Sequence, residues 1–153
     1  MPLPPLPDSA LNLGANASNW RQAIRLAGDA LVASGVATDE YTTRMIQVIE
    51  QYGAYIVIAP GLALAHARPG ADVLGDGLSV VTLETPVTFG HPHNDPVSVV
   101  VGLAVTSPDA HVTQVAALAN VFNDETAIPA LAAAREPDAV REILGVAKQG
   151  VSS

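Results

Sequence analysis

Residues 54–69 read AYIVIAPGLALAHARP, and this stretch decides both the fold class and the first candidate for chemistry. Tyr55-Ile56-Val57-Ile58 is an apolar run rich in β-branched residues, which predicts a buried strand, and Pro60-Gly61 is a turn signal that ends it. Leu62 and Leu64 then alternate with Ala63 and Ala65. Extended geometry therefore places His66 on the face of the leucines, at the end of a second strand. A histidine so placed is either a shielded nucleophile or a structural residue closing a strand.

The flanking segments supply helices. Ser18 is read as the N-cap of a helix in which Trp20, Ala23, Ile24, Ala27 and Leu31 recur at helical spacing, with Gly35 beyond its end. Thr38 caps a second helix whose stripe is Tyr41, Met45, Val48 and Tyr52 and whose stop is Gly53. A short strand is expected around Ala10–Leu13, and further strands over Leu78–Leu83 and Val97–Thr106, the last too continuously apolar to have a solvent face. Ser107-Pro108-Asp109 opens a helix with Val112, Val115, Ala119 and Phe122 on one face, and two more helices cover Glu125–Ala134 and Pro137–Ala147. This order predicts an α/β single domain, a mixed β-sheet flanked by helices on both faces, over 10–150. Residues 1–9, alternating Pro and Leu, read as an extended N-terminal arm.

Composition excludes several function classes. Over 153 residues, 49% are hydrophobic and 14% charged, enough apolar content for one core and too little charge for a disordered chain. A net charge of −8 and the lack of any basic run argue against binding nucleic acid or an anionic membrane surface, and favour a basic protein partner. Cysteine is absent, which removes disulfides, thiolate catalysis and thiolate zinc sites. The N-terminal MPLPPLPDSA has neither a basic start nor a long apolar run, and no uncharged stretch reaches the ~20 apolar residues of a membrane span, so a cytoplasmic location is expected. Walker, nucleophile-elbow and dinucleotide-binding motifs are all missing.

Three groups of polar residues remain. His111 falls in the first turn of the helix that follows the apolar strand 97–106, where open α/β sheets bind anions, or else it continues a stripe with Val115, Leu118 and Phe122. Arg68, two residues after His66, is placed to neutralise a phosphate or carboxylate. His91, His93 and Asp95 in the loop TFGHPHNDP offer metal-ligand types, with His111 as a further ligand, although Pro92 interrupts the pair.

Tyr55-Ile56-Val57-Ile58-Ala59-Pro60-Gly61, His66-Ala67-Arg68-Pro69, Phe89-Gly90-His91, Asn94-Asp95-Pro96-Val97 and His111 at a helix start together resemble the enzyme IIA domains of the bacterial phosphoenolpyruvate-dependent sugar phosphotransferase system. The likeness is to the mannitol/fructose-type fold, within it to the ascorbate and galactitol-like branch, and it spans roughly residues 10–148. It implies a phosphotransferase in which His66 accepts a phosphoryl group from the histidine-containing phosphocarrier protein and passes it to a cysteine of enzyme IIB. It further implies that His111 stabilises the phosphoryl group with Arg68, and that no cofactor or metal takes part. The missing cysteine and membrane span then require a separate enzyme IIB and a separate membrane transporter subunit. A homodimer is also compatible with the apolar composition. The alternative role on the same fold is regulatory, with phosphorylation of His66 controlling a non-transport partner.

Two positions depart from the family pattern. Ala65 stands where many members have proline before the active histidine. Gln47–Gln51 offers Glu50 in place of the arginine that some mannitol-type members carry, and Arg44 lies one or two turns earlier. Charge stabilisation is therefore expected to rest on Arg68, His111 and backbone donors.

Overall fold

In the computed structural model, which describes residues 3–149, strands β1 (Leu11–Ala15), β2 (Val57–Ala59), β3 (Leu62–Ala65), β4 (Gly77–Val87) and β5 (Val97–Ala104) form one sheet in the order β1-β4-β5-β3-β2. The β1–β4 and β3–β5 pairs are parallel, whereas β4–β5 and β2–β3 are antiparallel, so the sheet is mixed as expected. Helices α1 (Trp20–Ala33) and α2 (Asp39–Tyr52) cover one face; α3 (Pro108–Phe122), α4 (Ala127–Ala133) and α5 (Pro137–Leu144) cover the other.

The period-2 rule separates two cores across this sheet. Ala63 and Ala65 of β3 join Val100 and Ala104 of β5 against Ile24, Leu31, Tyr41 and Met45, while Leu62 and Leu64 join Val99, Val101 and Leu103 against Leu118, Leu131 and Val140. All four β3 residues are buried, and each leucine contributes about 1.5–3 kcal/mol by leaving water. Gly102 of β5 lets α1 approach closely, since a Cβ there would stand 3.5 Å from Ala27 O and 3.3 Å from a Leu31 methyl. Alternation continues past the strand: Ala67 is buried in the first core, and His66 turns to the side of α3.

Several ends differ from expectation for local reasons. Asn19 rather than Ser18 caps α1, its side-chain oxygen accepting the Gln22 N–H at 3.0 Å, while Gln22 Oε1 accepts the Ser18 N–H at 2.7 Å. Thr38 occupies the cap position of α2 without a side-chain capping bond. Gly53 ends α2 at φ 86°, with its N–H donating to Ile49 O. The expected strand at Tyr55–Ile58 is shifted to Val57–Ala59 and is only half buried. As an edge strand it keeps Ile56 and Val57 inside while Tyr55 and Ile58 face out.

The stripe of α2 is also rotated. Tyr41 and Met45 are buried as predicted, but Thr42, Ile46 and Ile49 complete the buried face, and Tyr52 is 68% exposed. On α3 the buried residues are Gln114 and Leu118, and Val112 is 69% exposed. The expected arm over 1–9, whose first two residues lie outside those described, is seated rather than loose. Leu6 is wholly buried in the second core, its N–H donates to Ala147 O at 2.8 Å, and its carbonyl accepts from Arg141 Nε at 2.7 Å. Gly150, the last residue of the expected domain, also lies outside the described residues.

Candidate active site

His66 leaves β3 at the point where parallel pairing with β5 stops, the last matched residues being Ala65 and Gly102. The chain after β5 enters α3 through Ser107, whose hydroxyl accepts the Ala110 N–H at 3.1 Å. Since β3 and β5 are adjacent and parallel, their carboxyl ends lie together, and the first turn of α3 brings His111 to His66. The two ring centroids are 5.2 Å apart at an interplanar angle of 57°. Tyr55, arriving from the entry to β2, presents its ring edge-on to His66 at 6.2 Å.

The tautomer of His66 follows from one contact. Nδ1 lies 2.8 Å from Leu64 O, and a carbonyl only accepts, so Nδ1 carries the proton and the neutral ring keeps its lone pair on Nε2. Burial, with a smaller contribution from the charge of His111, pushes the His66 pKa below its ordinary 6.5 despite the opposing Leu64 bond. At neutral pH His66 is therefore an uncharged imidazole whose unprotonated nitrogen is Nε2, and its ring lines a cleft.

That cleft, about 430 Å3, is lined by His66, Arg68, His111, Arg44, Tyr52 and Tyr55 among others. Arg68 is exposed at its rim and also borders a neighbouring hollow with Pro69, Pro108 and Val112. Glu50, the acid in the segment before β2, is turned away to Arg21 of α1 at 3.1 Å, so it places no negative charge in the cleft. At the start of α3 Pro108 has no N–H and Ser107 takes those of Ala110 and His111, so the helix offers its dipole, the Asp109 N–H and the His111 ring.

Arg44 does reach the site, contrary to the expectation from its position in α2. It lines the cleft, donates from Nε and Nη2 to the two oxygens of Asp72 at 2.6 and 2.7 Å, and donates from Nη2 to Arg68 O at 2.7 Å. Sequence spacing held the signal, because Arg44 lies three residues after Tyr41 and four before Val48. Tyr52 and Tyr55 line the cleft as well, although their place in apolar runs of the sequence predicts a core position.

The histidine-rich loop is organised around its own main chain. Asp95 accepts the N–H groups of Phe89, Gly90 and His91, and Nδ1 of His91 accepts those of His93 and Asn94. Asn94 in turn donates to Val57 O and accepts the Gly61 N–H, which props the β2–β3 hairpin that ends in His66. Among the described residues no group of three or more histidine, cysteine or acidic side chains is gathered as a metal site, and His111 lies beside His66 instead. A larger hollow of about 620 Å3 near Pro60, Asn94 and Phe122 contains Asp95 and Glu125 and no basic residue, which disfavours an anion there.

Comparison with known proteins gives the family and the fold. Residues 5–145 match the family model described as phosphoenolpyruvate-dependent sugar phosphotransferase system, EIIA 2. The chain belongs to that family. As an enzyme IIA component it is a phosphotransferase of sugar transport. This enzyme IIA is 35% identical over 138 residues to the ascorbate-specific PTS system EIIA component of Salmonella choleraesuis, covering 90% of each chain. The crystal structure of IIA mannitol from Escherichia coli superposes with a TM-score of 0.77 at 29% identity, covering 89% of this chain and 96% of that one. The complex of enzyme IIA and phosphorylated enzyme IIB for mannitol from Escherichia coli contains a chain with TM-score 0.79 and 27% identity, with coverage of 90% and 95%. The mannitol-type fold expected of this enzyme IIA is thus the one observed, and no helix among its described residues is long and apolar enough to cross a membrane.

Proposed function

We propose that this enzyme IIA is the phosphocarrier of an ascorbate-like branch, with His66 as acceptor, His111 and Arg68 as phosphoryl-stabilising residues, the histidine-containing phosphocarrier protein as donor and enzyme IIB as recipient. The observation that carries the reading is the Nδ1–H···O=C bond to Leu64, which leaves Nε2 unprotonated in a cleft shared with His111 and Arg68. The lone pair of Nε2 attacks phosphorus in the donor phosphohistidine. As the Nε2–P bond forms, the donor N–P bond breaks and the donor imidazole leaves with its electron pair. In the second half, a cysteine thiolate of enzyme IIB attacks phosphorus, the S–P bond forms, and Nε2 recovers its lone pair.

Neither half requires the chain to gain or lose a proton, which suits a ring whose other nitrogen is fixed as a donor. The protein's work is positioning and charge stabilisation, supplied by the His111 ring and the Arg68 guanidinium. Location in the cytoplasm follows from the donor and recipient. Support for the ascorbate-like branch comes from the 35% identity to the Salmonella component.

The test is incubation with phosphoenolpyruvate, enzyme I and the phosphocarrier protein, with intact mass recorded beside the His66→Ala variant. Gain of a single acid-labile phosphoryl group by the unmutated chain alone is expected, followed by its loss to enzyme IIB. Equal labelling of His66→Ala would eliminate His66 as the acceptor.

A further inference from the structure

We propose that Tyr41 and Arg44, one turn apart on α2, are positioning residues for phosphoryl transfer, clamping the main chain immediately after His66 so that its ring keeps Nε2 directed into the cleft. The proposal rests on the reading of His66 as the phosphoryl acceptor.

Tyr41 is wholly buried, and its hydroxyl lies between two strands that are parting. The oxygen is 3.0 Å from Ala67 N and 2.6 Å from Leu103 O. A hydroxyl has one proton, so the short contact defines the donation to Leu103, and the oxygen accepts from Ala67. The β3–β5 ladder ends at Ala65 and Gly102, and the Tyr41 hydroxyl bridges the next N–H and C=O across the gap. Burial pushes the Tyr41 pKa up to about 12, so this donor remains protonated throughout the working range.

Arg44 grips the following peptide. Its Nη2 donates to Arg68 O at 2.7 Å while Nε and Nη2 hold both oxygens of Asp72, itself 8% exposed. Asp72 is tied to the start of α2 in its turn, through Thr38 N–H donating to Asp72 O at 2.9 Å. Gly70 makes room for the guanidinium, since a Cβ there would stand 2.9 Å from Arg44 Nη2. Residues 67–72 are thereby closed onto α2 by two side chains.

The clamp bears on chemistry because the His66 ring is oriented by a bond to its own strand, two residues back. That bond depends on the backbone angles of Ala65 and His66, and alanine does not fix φ as a proline ring would. The restraint on the upstream side is only the end of β3; the downstream side is held by Tyr41 and Arg44. Neither residue needs to touch the phosphoryl group for this to act.

The experiment compares Tyr41→Phe and Arg44→Lys with the unmutated chain. Three readouts are taken: nitrogen NMR of the His66 ring in the unphosphorylated protein, the kcat and KM of phosphorylation by the phosphocarrier protein, and thermal melting. In Tyr41→Phe the single Nδ1–H tautomer is expected to give way to a mixture, with kcat falling about tenfold and KM changing less than about twofold. Arg44→Lys keeps the charge but loses the fork that joins Asp72 to Arg68 O, and its kcat is expected to fall about threefold or more. Unchanged tautomer and kcat in both folded variants would overturn the proposal, as would a loss confined to KM. Full rate in Arg44→Lys would reduce Arg44 to a point charge and remove it from the clamp. If Tyr41→Phe does not fold, Arg44→Lys decides by the same readouts. If the unmutated chain takes up no phosphoryl group, the carrier reading fails, and the ring tautomer alone then upholds or overturns the clamp.

Discussion

Replacing His111 by alanine removes one ring from the His66 cleft and leaves His66, the proposed acceptor, in place. The two centroids are 5.2 Å apart, and both side chains line the cleft, so a phosphoryl group on Nε2 of His66 comes within reach of an N–H of His111. A hydrogen bond to a charged group contributes about 1.5–3 kcal/mol net. At about 1.36 kcal/mol per decade, its loss slows transfer about 10- to 150-fold. His111 is only half-buried, so water replaces part of what is removed, and the lower end of this range, about tenfold, is expected. The assay is a single-turnover quench of transfer from the phosphorylated carrier, followed by intact mass. His111→Gln, which retains an N–H donor, should recover most of the rate. A His111→Ala rate within about twofold of the unmutated chain, with unchanged melting, would refute the reasoning and return His111 to the border of the core.

The lowered pKa of His66 predicts a transfer rate that stays level as pH falls to about 6.5 and declines only below it; a ring proton titrating at or above that value by NMR would contradict this. The same shift affects stability. Between the lowered folded value and the unfolded one, the unfolded chain binds more protons, so the contribution is complete above about pH 6.5 and is lost as pH falls through the folded value. His66→Gln should flatten that part of a melting-temperature profile, and an identical profile would show that His66 is not its source. Leu6→Ala should destabilise by about 2–5 kcal/mol, because a fully buried side chain of the second core is truncated, while His66 is still phosphorylated. Melting should fall by about 5–15 °C, and no fall would mean that residues 3–7 do not belong to the core.

The parts of this enzyme IIA that local chemistry dictates are those readable without a structure. Ser107-Pro108-Asp109 opens α3 and Gly53 closes α2, since a cap, a proline and a positive-φ glycine act on their immediate neighbours. The sequence predicts His66 at a strand end and His111 at a helix start, and their meeting follows once β3 and β5 are neighbours with α3 after β5. What escaped depends on distant partners. Leu6 is buried because α5 and Arg141 lie over it, and Arg44 enters the cleft because Asp72 and Arg68 O await it. Tyr52 and Tyr55 read as core by composition, yet an aromatic side chain with a polar tip serves equally at a cleft rim.

Both margins of the sheet bear on how this protein behaves in a crowded cell. The β2 margin is three residues long, and the β1 margin has a register irregularity between Asn12 and Ala15, with Gly14 at φ 69°. Another chain therefore finds no long, flat row of unpaired N–H and C=O groups on which to add a strand. This enzyme IIA is thus protected from ribbon-like self-association, and the longest, most apolar strands, β4 and β5, lie inside the sheet where they template nothing.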